Sequence, residues 1–162
     1  MDFIPLHDPR WRLLSGEDGP ISHPVAQAHA LLTLEQWHAV RDTWPAGLPT
    51  GVLLANTADV LALAPDLPRL ALLVLQFPKW TDGRAYSQAR LLRGRLRYTG
   101  EVRATGDVLV DMAPLMQRTG FSSAQLRADQ RVESARRALR FFSGHYQGDQ
   151  VELQPLFNRE AA

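Results

Sequence analysis

The sequence contains no cysteine in its 162 residues. A disulfide scaffold, thiolate-bound zinc, an iron–sulfur cluster held by this chain and a cysteine nucleophile are therefore excluded. Apolar runs long enough to cross a membrane are also missing, and the first thirty residues lack the apolar segment of a signal peptide. We expect a cytoplasmic protein with no membrane association.

Other signatures are missing as well. The five histidines have no metal-ligand spacing, and the glycines form neither a dinucleotide fingerprint nor a phosphate loop. Asp107 and Asp111 could share a helical face and bind magnesium, but two capping aspartates are the commoner arrangement. We predict no metal site and no redox cofactor of the protein's own.

The composition is that of a globular domain, with 45% hydrophobic and 22% charged residues. The length favours one domain, which we place at residues 1–147, followed by a loosely held tail at 148–162.

Charge is unevenly distributed along the chain. Residues 1–83 carry a net charge of −4 and residues 84–162 a net charge of +5, and all basic residues but Lys79 are arginine. Arginine suits carboxylates, phosphates and sulfate-like oxyanions. The basic charge is moderate and accompanies no nucleic-acid-binding motif, so no nucleic-acid partner is expected.

Apolar runs and helical periodicities alternate along the chain. The predicted strands cover residues 11–14, 51–55, 70–77, 101–104 and 125–127, and the predicted helices cover residues 34–44, 57–65, 85–97, 108–118 and 131–142. Thr33 and Thr57 are the expected caps of the first two helices, and Pro114 moves the start of the fourth towards Asp111.

This alternation predicts an α/β fold, with a mainly parallel sheet of about five strands and helices packed on it. A flavodoxin-like order and a half-barrel are both compatible with the pattern, with residues 70–77 as the central strand. Ligands of such sheets collect at the carboxyl ends of the strands, so we expect the functional residues in the loops after Phe77 and Ala104.

Three segments resemble a known bacterial family of uncharacterised proteins. They are DGRAYSQARLLR at 82–93, YTGEVRATGDVL at 98–109 and RTGF at 118–121, and they resemble domain-of-unknown-function family 934. The resemblance extends more weakly from Trp11 to FFSGHYQ at 141–147. It implies a small cytoplasmic protein encoded beside the sirohaem-containing sulfite reductase and other sulfate-assimilation genes, in a family usually labelled a probable oxidoreductase of sulfite reduction.

The first candidate site is the turn Asp82-Gly83-Arg84. Asp-Gly is a turn dipeptide, and the turn alone explains it. Free amides at the start of the next helix, together with Arg84 and Ser87, could also form an oxyanion pocket. Arg90 and Arg93 continue this basic face, which is either solvated and salt-bridged or a binding surface for an oxyanion or an acidic partner.

The second candidate group is Glu101, Arg103 and Asp107. Glu101 and Arg103 alternate with apolar residues and so point to one face of a strand, either as an internal ion pair or as an active-site pair. Asp107 or Glu101 are the candidate acid/base residues of an enzyme in which Arg84 and Arg103 stabilise negative charge. Trp80 precedes the Asp-Gly turn and could wall a pocket or anchor a partner.

Two functional hypotheses follow. The first is an accessory protein of assimilatory sulfite reduction that docks on the sulfite reductase haemoprotein or binds a small oxyanion. The alternative is an oxidoreductase or oxyanion-handling enzyme of the same pathway, with its site at the carboxyl ends of the strands. An enclosed cavity around these residues would favour the enzyme, and an exposed patch around Trp80 would favour the docking protein. The sequence leaves the substrate and the oligomeric state open.

Overall fold

The computed structural model describes residues 1–6, 8–16, 19–20, 22–141, 147–150 and 152–154. In chain order the elements are β1 (Asp2–Phe3), β2 (Arg12–Leu13), β3 (Ser15–Gly16), β4 (Gly19–Pro20), β5 (Ala30–Thr33), α1 (Leu34–Val40), β6 (Thr50–Leu54), β7 (Leu72–Phe77), α2 (Arg84–Gly94), β8 (Glu101–Gly106), α3 (Ala113–Thr119), β9 (Ser123–Ala124) and α4 (Val132–Ala138). Three 3₁₀ turns lie at Val60–Leu63, Leu67–Arg69 and Val110–Met112.

The main sheet of the described residues has seven strands in the order β1-β9-β8-β7-β6-β5-β2, and every pairing in it is parallel. From β5 to β9 each strand lies beside the next one in the chain. A flavodoxin-like sheet reverses its strand order at a switch point, and this one does not. The fold is therefore an α/β half-barrel, and the described residues form four helices. Strand β7 is central, as predicted, and β3 and β4 form a separate antiparallel hairpin.

The elements form where the sequence gives strong local signals. Leu72, Leu73, Val74 and Leu75 are all buried, because β7 is covered on both faces. Helix α1 begins with a capping box, in which the Thr33 hydroxyl accepts from the Gln36 amide and the Gln36 side chain accepts from the Thr33 amide. Helix α2 packs its apolar stripe of Ala85, Ala89 and Leu92 on the sheet with no exposed area.

Two predicted elements were misplaced. Residues 57–65 form a single 3₁₀ turn at Val60–Leu63, and Asp59 rather than Thr57 caps it by accepting from the Leu61 amide at 2.9 Å. The strand predicted at residues 125–127 lies instead at Ser123–Ala124. The chain has already left the sheet by Arg127, whose amide donates to the carbonyl of Val108 at 2.9 Å.

The boundaries of other elements differ from the predicted ones by smaller amounts. Helix α3 begins at Ala113 with Pro114 in its first turn, so the later start that Pro114 implies is confirmed. Helix α4 ends at Ala138, and residue 142 of the predicted helix lies outside the described residues. Of the predicted tail, Asp149 pairs with Arg118 at 3.0 Å, and residues 151 and 155–162 lie outside the described part.

The strands β1 and β5 raise the count above the predicted five. β1 pairs with β9 at one edge of the sheet, whereas β2 pairs with β5 at the other edge. The connecting residues 4–11, of which residue 7 lies outside the described part, must therefore cross the sheet from edge to edge. We call residues 4–11 the strap.

The length of the strap requires a curved sheet. Seven strands spaced about 4.8 Å apart would separate the edges of a flat sheet by roughly 29 Å. The chain from Phe3 to Arg12 reaches at most about 31 Å. Because this chain also makes a turn, in which the Trp11 amide donates to the Asp8 carbonyl, the sheet must curve, and the strap crosses its concave face.

The helices cover the other, convex face. On β8, Val102 and Ala104 belong to the apolar core shared with the helices, and Glu101, Arg103 and Thr105 alternate with them. Among the residues that the structure describes, none of the helices combines the length and apolar character needed to span a membrane.

Candidate functional site

The turn before α2 is closed by its own ion pair. Arg84 Nη2 lies 2.6 Å from Asp82 Oδ2, and Asp82 Oδ1 also accepts from the Arg84 backbone amide at 3.2 Å. Asn56, two residues after the end of β6, donates to Asp82 Oδ2 at 2.7 Å. The hydrogen bond from the Arg84 side chain has the largest effect on the pKa of Asp82, and together these hydrogen bonds lower it below its usual value. Desolvation opposes this effect. An oxyanion at this helix terminus would have to displace the Asp82 carboxylate.

The other predicted residues of α2 divide between two places. Ser87 and Arg90 are exposed and follow Arg84 on successive turns, while Gly83 is the residue that precedes the helix. Arg93 lies near the far end of α2, roughly 13 Å along the axis from Arg84. Its guanidinium donates to the carbonyls of Tyr98 and Gly100 at 2.6 and 2.7 Å. The structure therefore separates Arg93 from the other arginines and gives it a structural role.

Asp107 links two loops at the carboxyl ends of the strands. Its Oδ2 accepts from the Trp80 amide at 2.9 Å, and its Oδ1 accepts from Arg127 Nη1 at 2.7 Å. The hydrogen bond from the Trp80 backbone amide lowers the pKa of Asp107 most, and the hydrogen bond from Arg127 lowers it further. The carboxylate is thus held ionised between two donors. This arrangement suits a residue that holds two loops together better than a residue that acts as a general acid. These two hydrogen bonds fix the loop in place, and Trp80 stays 56% exposed.

Glu101 and Arg103 form an internal ion pair on the concave face of β8. Arg103 Nη2 lies 2.7 Å from Glu101 Oε1, and Ser123 Oγ donates to the same carboxylate oxygen. Arg103 Nη2 also lies 3.0 Å from Asp8 Oδ2 in the strap, and the Arg103 side chain is only 2% exposed. Sequence reasoning missed Asp8, because nothing local connects it with a strand almost a hundred residues later.

A cavity of about 560 Å³ lies between the strap and the concave face. Among the described residues its lining comes from the strap and β2, from β5 to β8 and from the residue after β9, and includes Leu6, Asp8, Pro9, Trp11, Arg12, Leu13, Leu31, Leu53, Val74, Gln76, Arg103, Thr105 and Gln125. Of the predicted site residues only Arg103 lines it. One sequence signal could have indicated this polar lining: Glu101, Arg103 and Thr105 alternate with apolar residues along β8 and so lie on one face of it.

A smaller cavity of about 250 Å³ opens at the carboxyl ends of β6, β7 and β8, where the sequence predicts the site. Asn56, Gln76 and Asp107 supply its polar lining, and Gln76 borders both cavities. Arg84, Ser87 and Arg90 are not part of this lining. Within the described residues no three histidine or acidic side chains are placed to hold a metal ion.

These features define a class of protein: an α/β half-barrel whose concave face is closed by an N-terminal strap and whose strand ends carry exposed, ion-paired side chains. A model of the family described as "Bacterial protein of unknown function (DUF934)" matches residues 51–157. The chain belongs to this family. Comparison with curated proteins and with solved structures gave no match.

Proposed function

We propose that this protein is an accessory protein of assimilatory sulfite reduction that docks on the sulfite reductase haemoprotein and uses no redox cofactor of its own. The pathway comes from the resemblance of the three segments between residues 82 and 121 to the family. The docking role is supported by one structural observation, which is that Trp80, Arg84, Ser87 and Arg90 are all exposed at the turn before α2 and along the helix.

The surface we assign to docking is the Trp80 patch, defined as Trp80, Arg84, Ser87 and Arg90. Residue Trp80 is 56% exposed, and the Arg84 side chain is 57% exposed. Tryptophan and arginine are the residues most enriched among those that dominate binding energy at protein interfaces. An exposed indole on a fixed loop beside basic side chains therefore suits a partner surface with an apolar pocket and acidic groups.

Charge within the patch favours a protein partner over a free oxyanion. Asp82 already neutralises Arg84 at 2.6 Å. Arg90 forms no ion pair with any described residue, but a single exposed arginine holds a small anion weakly in water. Several contacts made together on a partner surface overcome this weakness, because the indole contributes burial that does not depend on charge.

Isothermal titration of the protein with the sulfite reductase haemoprotein tests the proposal. We expect saturable binding by the native chain and a loss of about tenfold or more in affinity for Trp80→Ala, which corresponds to removal of one interface anchor. Arg90→Ala is expected to weaken binding more at low salt than at high salt. Arg136→Ala, an exposed change on α4, is the matched control and should bind like the native protein.

The proposal is wrong if the native chain does not bind the haemoprotein, or if Arg136→Ala weakens binding as much as Trp80→Ala does. Parallel titrations with sulfite, sulfate and phosphate test the alternative function, an oxidoreductase or oxyanion-handling enzyme of the same pathway. The small cavity lined by Asn56 and Asp107 favours that alternative. If the native chain binds sulfite selectively and Arg84→Ala does not, the enzyme alternative would be favoured over the docking role.

A further inference from the structure

The cavity beneath the strap is separate from the Trp80 patch and independent of the docking proposal. We infer that it is a binding site for an uncharged small organic molecule with an apolar body and a hydrogen-bond-accepting polar end, such as a carbonyl group. Its volume of about 560 Å³ lies within the range of pockets that enclose such ligands.

One half of the cavity is apolar. Leu31, Leu53 and Val74 come from the neighbouring strands β5, β6 and β7, and Leu53 and Val74 are directly paired in the sheet. Leu13 on β2 is paired with Leu31 in the same sheet and extends this apolar surface, and the Trp11 ring of the strap lies against Gly51 of β6 beside it. An apolar sheet surface bordered by an indole ring is suited to an apolar body, which gains its binding energy from burial of its surface.

The other half presents polar groups that the protein does not use. Arg103 donates to Glu101 from Nε and Nη2, and Nη1 donates to none of the described residues. The side-chain amide of Gln76 likewise forms no hydrogen bond with any described residue. Val74 pairs with Arg103 and Gln76 with Thr105 across β7 and β8, so Gln76 and Arg103 are diagonal neighbours on one face.

Both groups are open to the cavity. In the described residues, the side-chain polar atoms that are fully enclosed and unpaired are Trp37 Nε1 and Gln88 Oε1. Arg103 Nη1 and the side-chain amide of Gln76 are not among these atoms, although the Arg103 side chain is 2% exposed, so they retain contact with the space that they line. Two neighbouring donors with no acceptor among the described residues can both serve a ligand oxygen.

The charge around Arg103 selects against an anion. Asp8 and Glu101 both lie within 3.0 Å of Arg103 Nη2, and Arg10 pairs with Asp8 at 3.2 Å. Two acids and two bases therefore balance, and an incoming carboxylate would face two carboxylates in a region of low dielectric constant. Arg12, the other basic residue of the lining, is exposed, and its charge is screened by solvent. An uncharged acceptor avoids this repulsion.

The cavity is also held open by firm anchors. The Asp8–Arg103 pair ties the middle of the strap to β8, and Gln125 Nε2 donates to the Pro5 carbonyl at 3.1 Å. At the other end Trp11 lies against Gly51, where a Cβ would come within 3.1 Å of the indole ring. A preformed site loses less entropy when it binds a ligand.

The fluorescent naphthyl ketone prodan is a suitable probe, because it has an apolar ring system and a carbonyl group and its emission shifts to the blue when it leaves water. We expect saturable one-to-one binding by the native chain. Leu53→Trp fills the apolar half and is expected to weaken binding by about tenfold or more. Leu115→Trp places the same side chain on exposed α3 and should bind prodan like the native protein.

The polar end is tested by displacement of prodan with acetylnaphthalene, naphthalene and naphthoate. Gln76→Leu should weaken the binding of acetylnaphthalene by about fivefold and leave that of naphthalene unchanged, since only the ketone uses the amide. Naphthoate should bind more weakly than acetylnaphthalene. A native chain that does not saturate with prodan, an unaffected Leu53→Trp variant, or tighter binding of naphthoate would each overturn the inference.

The two proposals fail separately. Leu53 and Gln76 lie outside the Trp80 patch, so Leu53→Trp should still bind the haemoprotein, and Trp80→Ala should still bind prodan. Urea denaturation of each variant shows whether it is folded before its binding is measured.

Discussion

At the scale of single residues, Arg103 carries the largest consequence. Its side chain is 2% exposed and holds Glu101 from its own strand and Asp8 from the strap. Removing one member of a buried ion pair leaves the remaining charges without compensation. We expect Arg103→Met to lower the free energy of unfolding by about 3–5 kcal/mol, measured by urea denaturation.

Arg127→Met is the matched control for that change. Arg127 also holds two carboxylates, those of Asp107 and Asp129, but its side chain is 44% exposed. Exposed ion pairs contribute little to stability, so this variant should unfold close to the native midpoint. An Arg103→Met variant as stable as Arg127→Met would show that the strap does not depend on the buried pair.

Asp8 makes this pair sensitive to pH. Although desolvation opposes it, hydrogen bonds from Arg10 and the charge of Arg103 lower the pKa of Asp8 below its usual value near 3.8. The folded state therefore binds this proton less tightly than the unfolded state does. Its stabilising contribution is present above about pH 4 and is lost as the pH falls through the folded-state pKa.

Asp8→Asn should consequently be less stable than the native chain at pH 5, and the difference should shrink as the pH is lowered below 4. Urea denaturation of both proteins over this range measures the difference. A gap that stays constant or widens towards low pH would contradict the sign of the pKa shift.

At the scale of elements, the start of α1 illustrates what a local signal can achieve. The Thr33 hydroxyl accepts from the Gln36 amide at 3.2 Å, as the spacing of the two residues predicts. Thr33→Ala should therefore lower the free energy of unfolding by about 1 kcal/mol. Thr57→Ala, at the cap that was predicted but not formed, should stay within about 0.5 kcal/mol of the native value. Equal losses in urea denaturation would contradict this assignment.

Elements that could be predicted have their causes within a few residues. β6, β7, β8, α1 and α2 have apolar runs or stripes of sufficient length and clear boundaries, and each was predicted to within a few positions. β9 is only two residues long, and β5 leads directly into the cap of α1. These two strands are defined by their pairing with neighbouring strands in the sheet. No sequence pattern within either strand reveals that pairing.

At the scale of the whole molecule, the difference between local and long-range signals explains which parts of the site the sequence predicts. The loops at the carboxyl ends of β7 and β8 were predicted because parallel sheets gather their loops at one end. The cavity was missed because it needs β1 and β2 at opposite edges of the sheet, with the strap between them. No property of residues 4–11 alone encodes that path across the concave face.

The half-barrel thus separates two surfaces. The Trp80 patch lies at the start of α2 and is exposed, whereas the cavity lies on the concave face beneath the strap. The two proposals therefore place the partner on the Trp80 patch and the small molecule in the cavity, and neither binding event requires the other.

Amide hydrogen exchange of the protein, alone and saturated with the sulfite reductase haemoprotein, tests the central claim most directly. The docking proposal predicts slower exchange on binding at residues 79–90, which contain the Trp80 patch, and unchanged exchange in the strap and in α4. Exchange that is unchanged everywhere, or protection confined to the strap or to α4, would contradict it.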